Sequence, residues 1–218
     1  MRFCGIIPAR YTSTRFPGKP LAAVFGKPMI QRVYENSSKI LDNVYVATDD
    51  GRIYEAVTNF GGNAIMTSDR HNSGTDRCFE ALCTIKRNYG YNFDIVINIQ
   101  GDEPFINPLQ IKSVMSCFSD KNTQIATLIK PIVSSDELFN PNIPKVVINT
   151  KNEAVFFSRS PLPYFRNAVP ETWVNKHMYY RHIGLYAYLS DILKRITGLP
   201  QSRLEIAESL EQLRWIEN

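Results

Sequence analysis

The stretch from Phe3 to Pro20, FCGIIPARYTSTRFPGKP, restricts the possible folds more than any other part of the chain. Phe3 to Ile7 is a short apolar run with adjacent isoleucines, and Pro8 ends it. A polar stretch carrying Arg10, Arg15 and Lys19 follows, with Gly18 and Pro20 flanking the lysine. A buried strand that empties into a basic loop is how an α/β protein receives phosphate. The strand holds one end of the loop, and the loop supplies backbone N–H groups and fixed cations. GKP lacks the surrounding GxxxxGK[ST] pattern, so this is not a Walker A loop and a P-loop NTPase is disfavoured. For Arg15 and Lys19 two readings stay open, triphosphate ligands or ordinary solvated charges.

Downstream, strand-like and helix-like runs alternate. The helical pattern covers Pro28 to Lys39, Arg52 to Phe60, Thr75 to Arg87 and Pro108 to Phe118. Strands are predicted at Val44–Ala47, Asn63–Met66 and Asp94–Ile99. This order predicts a mainly parallel sheet with helices on both faces, and ligands beyond the carboxyl ends of its strands. Three such ends are polar: Pro8-Ala9-Arg10, Thr48-Asp49-Asp50 and Gln100-Gly101-Asp102-Glu103-Pro104. They are expected to converge on one rim.

The second half is β-rich over 125–132, 146–148, 154–157 and 182–189. Between the last two lies 158–176, rich in Pro and aromatics, which reads as a lid or an oligomer contact. Leu204 to Asn218 is predicted as a helix with Ile206, Leu210 and Leu213 on its apolar face. At 218 residues the chain suits one sizeable domain, with an insertion at about 130–190.

No Lys/Arg block exceeds two residues and the net charge is only +4, which argues against a nucleic-acid surface. Nothing approaches the roughly 18 apolar residues of a membrane span, and the N-terminus does not read as a signal peptide. Cys4, Cys78, Cys83 and Cys117 form no CxxC pair, so they are expected to be reduced, mostly buried thiols of a cytoplasmic protein.

Several residues are candidates for chemistry. Asp102, beside a glycine at a strand's end, suits Mg²⁺, which takes one or two carboxylates plus phosphate oxygens; it could equally cap a turn. Ser73 or Thr75 could cap the helix opened by Asn72-Ser73-Gly74-Thr75-Asp76-Arg77, and Arg77 could reach a ligand or an acidic side chain. His182 and Tyr186 share one face of a strand, as structural residues or as ligands of a sugar hydroxyl or carboxylate. Arg159 could grip a carboxylate or make a structural ion pair. His71 and His177 sit in polar loops and support no assignment.

Taken together, IIPARYTSTRFPGKPL, ATDD, HNSGTDR, VINIQGDEP, FNPNIPKVV, FFSRSPLPY, RHIGLYAY and ESLEQLR resemble the CMP-Kdo synthetases, the 3-deoxy-manno-octulosonate (Kdo) cytidylyltransferases of Gram-negative lipopolysaccharide synthesis. The resemblance runs from residue 3 to about residue 216. It implies a three-layer α/β/α nucleotide-binding sandwich with a smaller β-rich dimerisation portion, working as a homodimer. It implies that the anomeric hydroxyl of Kdo attacks the α-phosphate of CTP, with Mg²⁺ as cofactor. Arg10, Ser13, Arg15 and Lys19 match the nucleotide loop. Ser73, Thr75 and Arg77 match the segment near base and ribose, and Gln100 and Asp102 match the sugar- and metal-contacting turn. Arg159, His182, Tyr186, Glu211 and Gln212 match positions around the acidic sugar. Lys19, Arg15 and Asp102 would be the catalytic set. Family members usually continue past the last helix to a VDTPEDL-like motif whose aspartate is a second Mg²⁺ carboxylate. This sequence ends at Trp215-Ile216-Glu217-Asn218, without that motif. Two alternatives accompany the Kdo reading: another 2-keto sugar acid (amino-Kdo or sialic acid) as acceptor, or a tail-less, non-catalytic nucleotide-binding module.

Overall fold

A computed structural model describes residues 1–12 and 16–218. Two compact units emerge. The first comprises Met1–Ala126 and Gly184–Thr197, the second Thr127–Ile183 and Gly198–Asn218.

In the first unit the central strand is β1 (Phe3–Ala9), which is almost wholly buried. A small hairpin, β2 (Ala23–Val24) and β3 (Lys27–Pro28), leads into helix α1 (Met29–Ser37). Then follow β4 (Val44–Thr48), α2 (Gly51–Asn59), β5 (Ala64–Met66), α3 (Gly74–Tyr89), β6 (Ile95–Asn98) and α4 (Pro108–Ser116). β1 pairs in parallel with β4, Gly5 opposite Val44, and with β6, Phe3 opposite Ile95. β5 extends the sheet beyond β4, also in parallel. β4 and β6 are buried along their whole length, as strands covered on both faces must be. α1 packs with α4, and α3 packs with α7 (Ser190–Thr197), which forms the two helical layers.

Local chemistry sets the helix ends. The Ser73 hydroxyl accepts from the Asp76 amide at 3.1 Å and caps α3, and Gly90, left-handed, ends it. Asn107 and Gln110 form a reciprocal capping box on α4. α7 lies outside the helices the sequence predicts, and Ile192, Leu193 and Ile196 form its buried stripe.

The second unit holds β7 (Ile125–Pro131) from Thr127 onward, α5 (Ser135–Phe139), β8 (Lys145–Ile148), β9 (Ala154–Ser158), α6 (Trp173–Lys176) and β10 (Tyr180–Leu189) as far as Ile183. β8 pairs antiparallel with β9 and with the start of β10. From Tyr186 to Leu189, β10 runs antiparallel to β6 within the first unit. Most of the expected insertion at 130–190 falls in the second unit. Its Pro- and aromatic-rich stretch is packed: Trp173 is buried with Ile132, Leu138 and Tyr179, and its indole N–H donates to the Ala168 carbonyl at 3.0 Å.

The single C-terminal helix expected over 204–218 is corrected by the structure. α8 (Arg203–Glu208) stops at Ser209, which is left-handed at φ 50°, and α9 (Leu213–Glu217) begins afresh. The break sends Leu210 and Leu213 into a core with Val146 and Phe157 and leaves Ile206 63% exposed. It also lets Arg214 grip Glu205 with two nitrogens, at 2.6 and 2.8 Å, which holds the Glu205 carboxyl below its usual range.

Candidate active site

The carboxyl ends of β1 and β6 open onto a cavity of about 470 Å³. Pro8, Ala9 and Arg10 line it from β1, and Gln100, Gly101 and Asp102 from the turn after β6. Gly101 is required by proximity: a Cβ there would stand 2.9 Å from the Pro8 carbonyl oxygen. That contact draws the Gln100–Asp102 turn against the end of β1.

The basic loop closes on itself. The Gly18 amide donates to the Tyr11 carbonyl at 2.9 Å, and Gly18 is left-handed at φ 71°. A 3-10 turn, Lys19–Leu21, starts immediately, with Pro20 buried beneath it. This anchors the backbone of Lys19, whose Nζ lies 2.6 Å from Asp102 Oδ2. Both side chains remain substantially exposed to the cavity, Asp102 at 54%. Ser13 and Arg15 lie outside the described residues.

The start of α3 supplies another wall: His71, Asn72, Ser73, Gly74 and Arg77. Ser73 therefore caps the helix and faces the cavity as well. Thr75, though in the same motif, points into the interior and is 2% exposed. Arg77 is buried, with one guanidinium nitrogen 2.9 Å from Asp49 Oδ2 and another 2.6 Å from Thr67 Oγ1. Thus the end of β4 does not line the cavity as the convergence of three strand ends predicted. It holds Arg77, which does.

His71, to which the sequence assigns no role, lines the cavity, and its Nε2 meets Glu80. Burial pushes the Glu80 carboxyl up, but bonds from the Ser68 amide and His71 outweigh this and leave it below the usual range. The signal that could have found the pair is a glutamate placed to turn back from α3 toward the loop before it.

Tyr186 is buried on β10 opposite Asn98 and stacks with Tyr188, ring centroids 5.8 Å apart. The other residues expected around the sugar belong to the second unit. The Arg159 guanidinium donates to the backbone carbonyls of Glu208, Pro141 and Ser209 at 2.6, 2.9 and 3.2 Å. Lys145, 0% exposed, donates to the Asn140 carbonyl, and burial, followed by the nearby charge of Arg159, lowers its pKa. His182 packs edge-on against Phe157, with Nε2 2.9 Å from Thr127 Oγ1. Burial lowers its pKa to about 4, so at neutral pH it is an uncharged imidazole. Glu211 is half-buried and Gln212 buried, just ahead of α9.

A family model described as Cytidylyltransferase matches residues 4–218. A 3-deoxy-manno-octulosonate cytidylyltransferase of Parabacteroides distasonis is 62% identical over 100% of this chain and 87% of its own length. The Bacteroides thetaiotaomicron protein of the same name is 61% identical with the same coverage.

This chain belongs to the 3-deoxy-manno-octulosonate cytidylyltransferase family.

A solved structure of CMP:2-keto-3-deoxy-manno-octonic acid synthetase complexed with CTP superposes with a TM-score of 0.90 at 45% identity, covering 100% of this chain and 86% of that one. The fold, a mostly parallel sheet between helical layers, is thus the one this cytidylyltransferase family uses. As a nucleotidyltransferase, the enzyme presents a lysine and a carboxylate at the mouth of its cavity, beside the N-terminus of a sixteen-residue helix. That combination suits a polyphosphate: backbone N–H groups and a fixed cation can meet its oxygens.

Proposed function

We propose that this cytidylyltransferase transfers CMP from CTP to Kdo. The observation that carries the reading is the meeting of Lys19 and Asp102 at the mouth of the cavity. The names of its relatives support the choice of nucleotide and sugar. The Kdo anomeric oxygen forms a bond to the α-phosphorus, the bond from that phosphorus to the bridging α–β oxygen breaks, and pyrophosphate leaves. The protein's part is to hold the reactants in line and neutralise charge on the phosphates. Lys19, Arg10 and the start of α3 line one cavity, which supports giving them that part.

Mg²⁺ fits Asp102 in a specific sense. Among the described residues no group of three His, Cys, Asp or Glu side chains is placed to cage a metal. One exposed carboxylate therefore suits an ion that arrives with the triphosphate. Bound there, Mg²⁺ would supply Lewis-acid stabilisation of phosphate charge. Gln100, Tyr186, Arg159, His182, Glu211 and Gln212 remain the proposed sugar side. Because Arg159 is committed to three carbonyls, its contribution there would be to fix the Glu208–Ser209 backbone as well as to supply charge.

The exposed Val133, Tyr164, Val169 and Met178 of the second unit support a dimerisation role for it. No helix among the described residues is long and apolar enough to cross a membrane. Free thiols such as the exposed Cys83 suit the reducing cytoplasm, where CMP-Kdo would feed lipopolysaccharide synthesis. The test is pyrophosphate release with CTP, Mg²⁺ and a panel of Kdo, amino-Kdo and sialic acid. Release with Kdo well above the other acids is expected; release with sialic acid alone would displace the Kdo reading.

A further inference from the structure

The transfer just described gives His71 no part, although the ring lines the cavity. Its Nε2 is turned to Glu80 Oε2, and the same oxygen accepts from the Ser68 amide at 2.9 Å. An ionised carboxylate only accepts, so the proton shared in this contact belongs to Nε2. With Nε2 turned to Glu80, Nδ1 is the ring nitrogen left to take a ligand, and with the proton on Nε2 it is an acceptor. Of the two ring nitrogens of this cavity-lining residue, it is the one not engaged by Glu80.

A lone pair there does not attract phosphate oxygens; it needs an N–H or O–H. A ribose hydroxyl can donate or accept, so it makes no demand on the tautomer of its partner. The 4-amino group of cytosine only donates, whereas uracil has an accepting carbonyl oxygen in its place. A tautomer held by a carboxylate that is itself held by a backbone amide has a purpose for the amine and none for the hydroxyl.

We propose that His71 Nδ1 accepts a hydrogen bond from the 4-amino group of cytosine and so selects cytidine over uridine nucleotides. Glu80 is the positioning residue that holds the tautomer. The inference rests on the reading of the cavity as a CTP site and names a determinant of its base specificity. A uridine nucleotide would set its carbonyl oxygen against the Nδ1 lone pair, and rejection of that kind is the stronger form of discrimination.

The test is calorimetric titration of CTP, UTP and 2′-deoxy-CTP, with Mg²⁺ and no sugar acceptor, into the wild type, His71→Ala, His71→Asn and Glu80→Ala. Thermal unfolding checks that each variant is folded. Wild type is expected to prefer CTP to UTP. His71→Ala should reduce that preference about tenfold, the scale of one neutral hydrogen bond. It should leave the ratio of 2′-deoxy-CTP to CTP affinity unchanged. His71→Asn, whose Oδ1 can accept near the Nδ1 position, should retain part of the preference. Glu80→Ala should lose part of it through the freed tautomer. A preference for CTP that survives His71→Ala intact overturns the inference and leaves the CTP site standing. Equal weakening of CTP and UTP, or a change confined to the 2′-deoxy ratio, also overturns it. A wild type that binds neither nucleotide overturns the CTP reading and this inference together.

Discussion

Lys19 Nζ and Asp102 Oδ2 lie 2.6 Å apart although 83 residues separate them along the chain. The pair is about as exposed as a surface ion pair, with Lys19 at 36% and Asp102 at 54%. At that exposure it contributes little to stability. Each member can therefore give up the other at small cost, as the proposed phosphate role of Lys19 and metal role of Asp102 require.

Asp102→Asn is expected to keep the wild-type melting temperature within about 2 °C while lowering Mg²⁺-dependent kcat/KM by about a hundredfold or more. Steady-state pyrophosphate release and a thermal scan on the same preparation check both halves. Near-normal turnover would remove Asp102 from the metal role.

Lys19→Ala should weaken CTP binding by about 1.5–3 kcal/mol if the amine bonds a phosphate. Titration of CTP measures it, and an unchanged affinity would return Lys19 to a solvated charge. Because no three His, Cys, Asp or Glu side chains cluster among the described residues, Mg²⁺ added without nucleotide should give no saturable heat, whereas CTP binding should weaken when the metal is chelated.

The parts of the fold that could be read from the sequence are those whose signal is local. β1, β4 and β6 appear as short apolar runs because both faces are buried. Ser73 shows itself as a helix cap because the cap and the amide it serves are three residues apart. What could not be read depends on strand order or on a single backbone angle. Arg77 meets Asp49 across 28 residues only because β4 lies beside β1. The spacing of Ile206, Leu210 and Leu213 fits one helix, and nothing in a serine announces the left-handed turn at Ser209. The only trace of His71's role is Glu80 nine residues on in α3, and that pairing becomes definite only when the loop folds back onto the helix.

Asp49 supports Arg77 from beneath the cavity wall, and both side chains are largely buried, at 13% and 4% exposure. Asp49→Ala leaves that guanidinium uncompensated and should cost about 3 kcal/mol of unfolding free energy in a denaturant titration. CTP affinity should fall with it as Arg77 loses its orientation. A stable variant with unchanged CTP binding would show that Arg77 is placed by the Thr67 contact alone.

His182 sets an acid limit. Its folded pKa of about 4 lies below the ordinary value of about 6.5. Between those values the unfolded chain binds a proton that the native state refuses. Its contribution to stability is thus fully present above about pH 6.5 and is lost as pH falls toward 4, by up to about 3 kcal/mol. His182→Gln should flatten the stability profile over that window, as read by urea titrations from pH 7 to pH 4. An unchanged slope in the variant would assign the acid sensitivity to other groups.

Gly101→Ala would place a methyl group 2.9 Å from the Pro8 carbonyl and push the Asp102 turn away from β1. A stability loss of about 1–3 kcal/mol is expected, with a larger proportional loss of turnover than of stability, checked by paired thermal and kinetic measurements.

The central claim is that this cavity joins CTP to Kdo. Phosphorus NMR of the wild-type protein with CTP, Kdo and Mg²⁺ tests it most directly. The three CTP resonances should disappear while pyrophosphate and one phosphodiester signal belonging to CMP-Kdo grow in equal amounts. Unchanged CTP, or pyrophosphate accompanied by free CMP from the first time points, would contradict it.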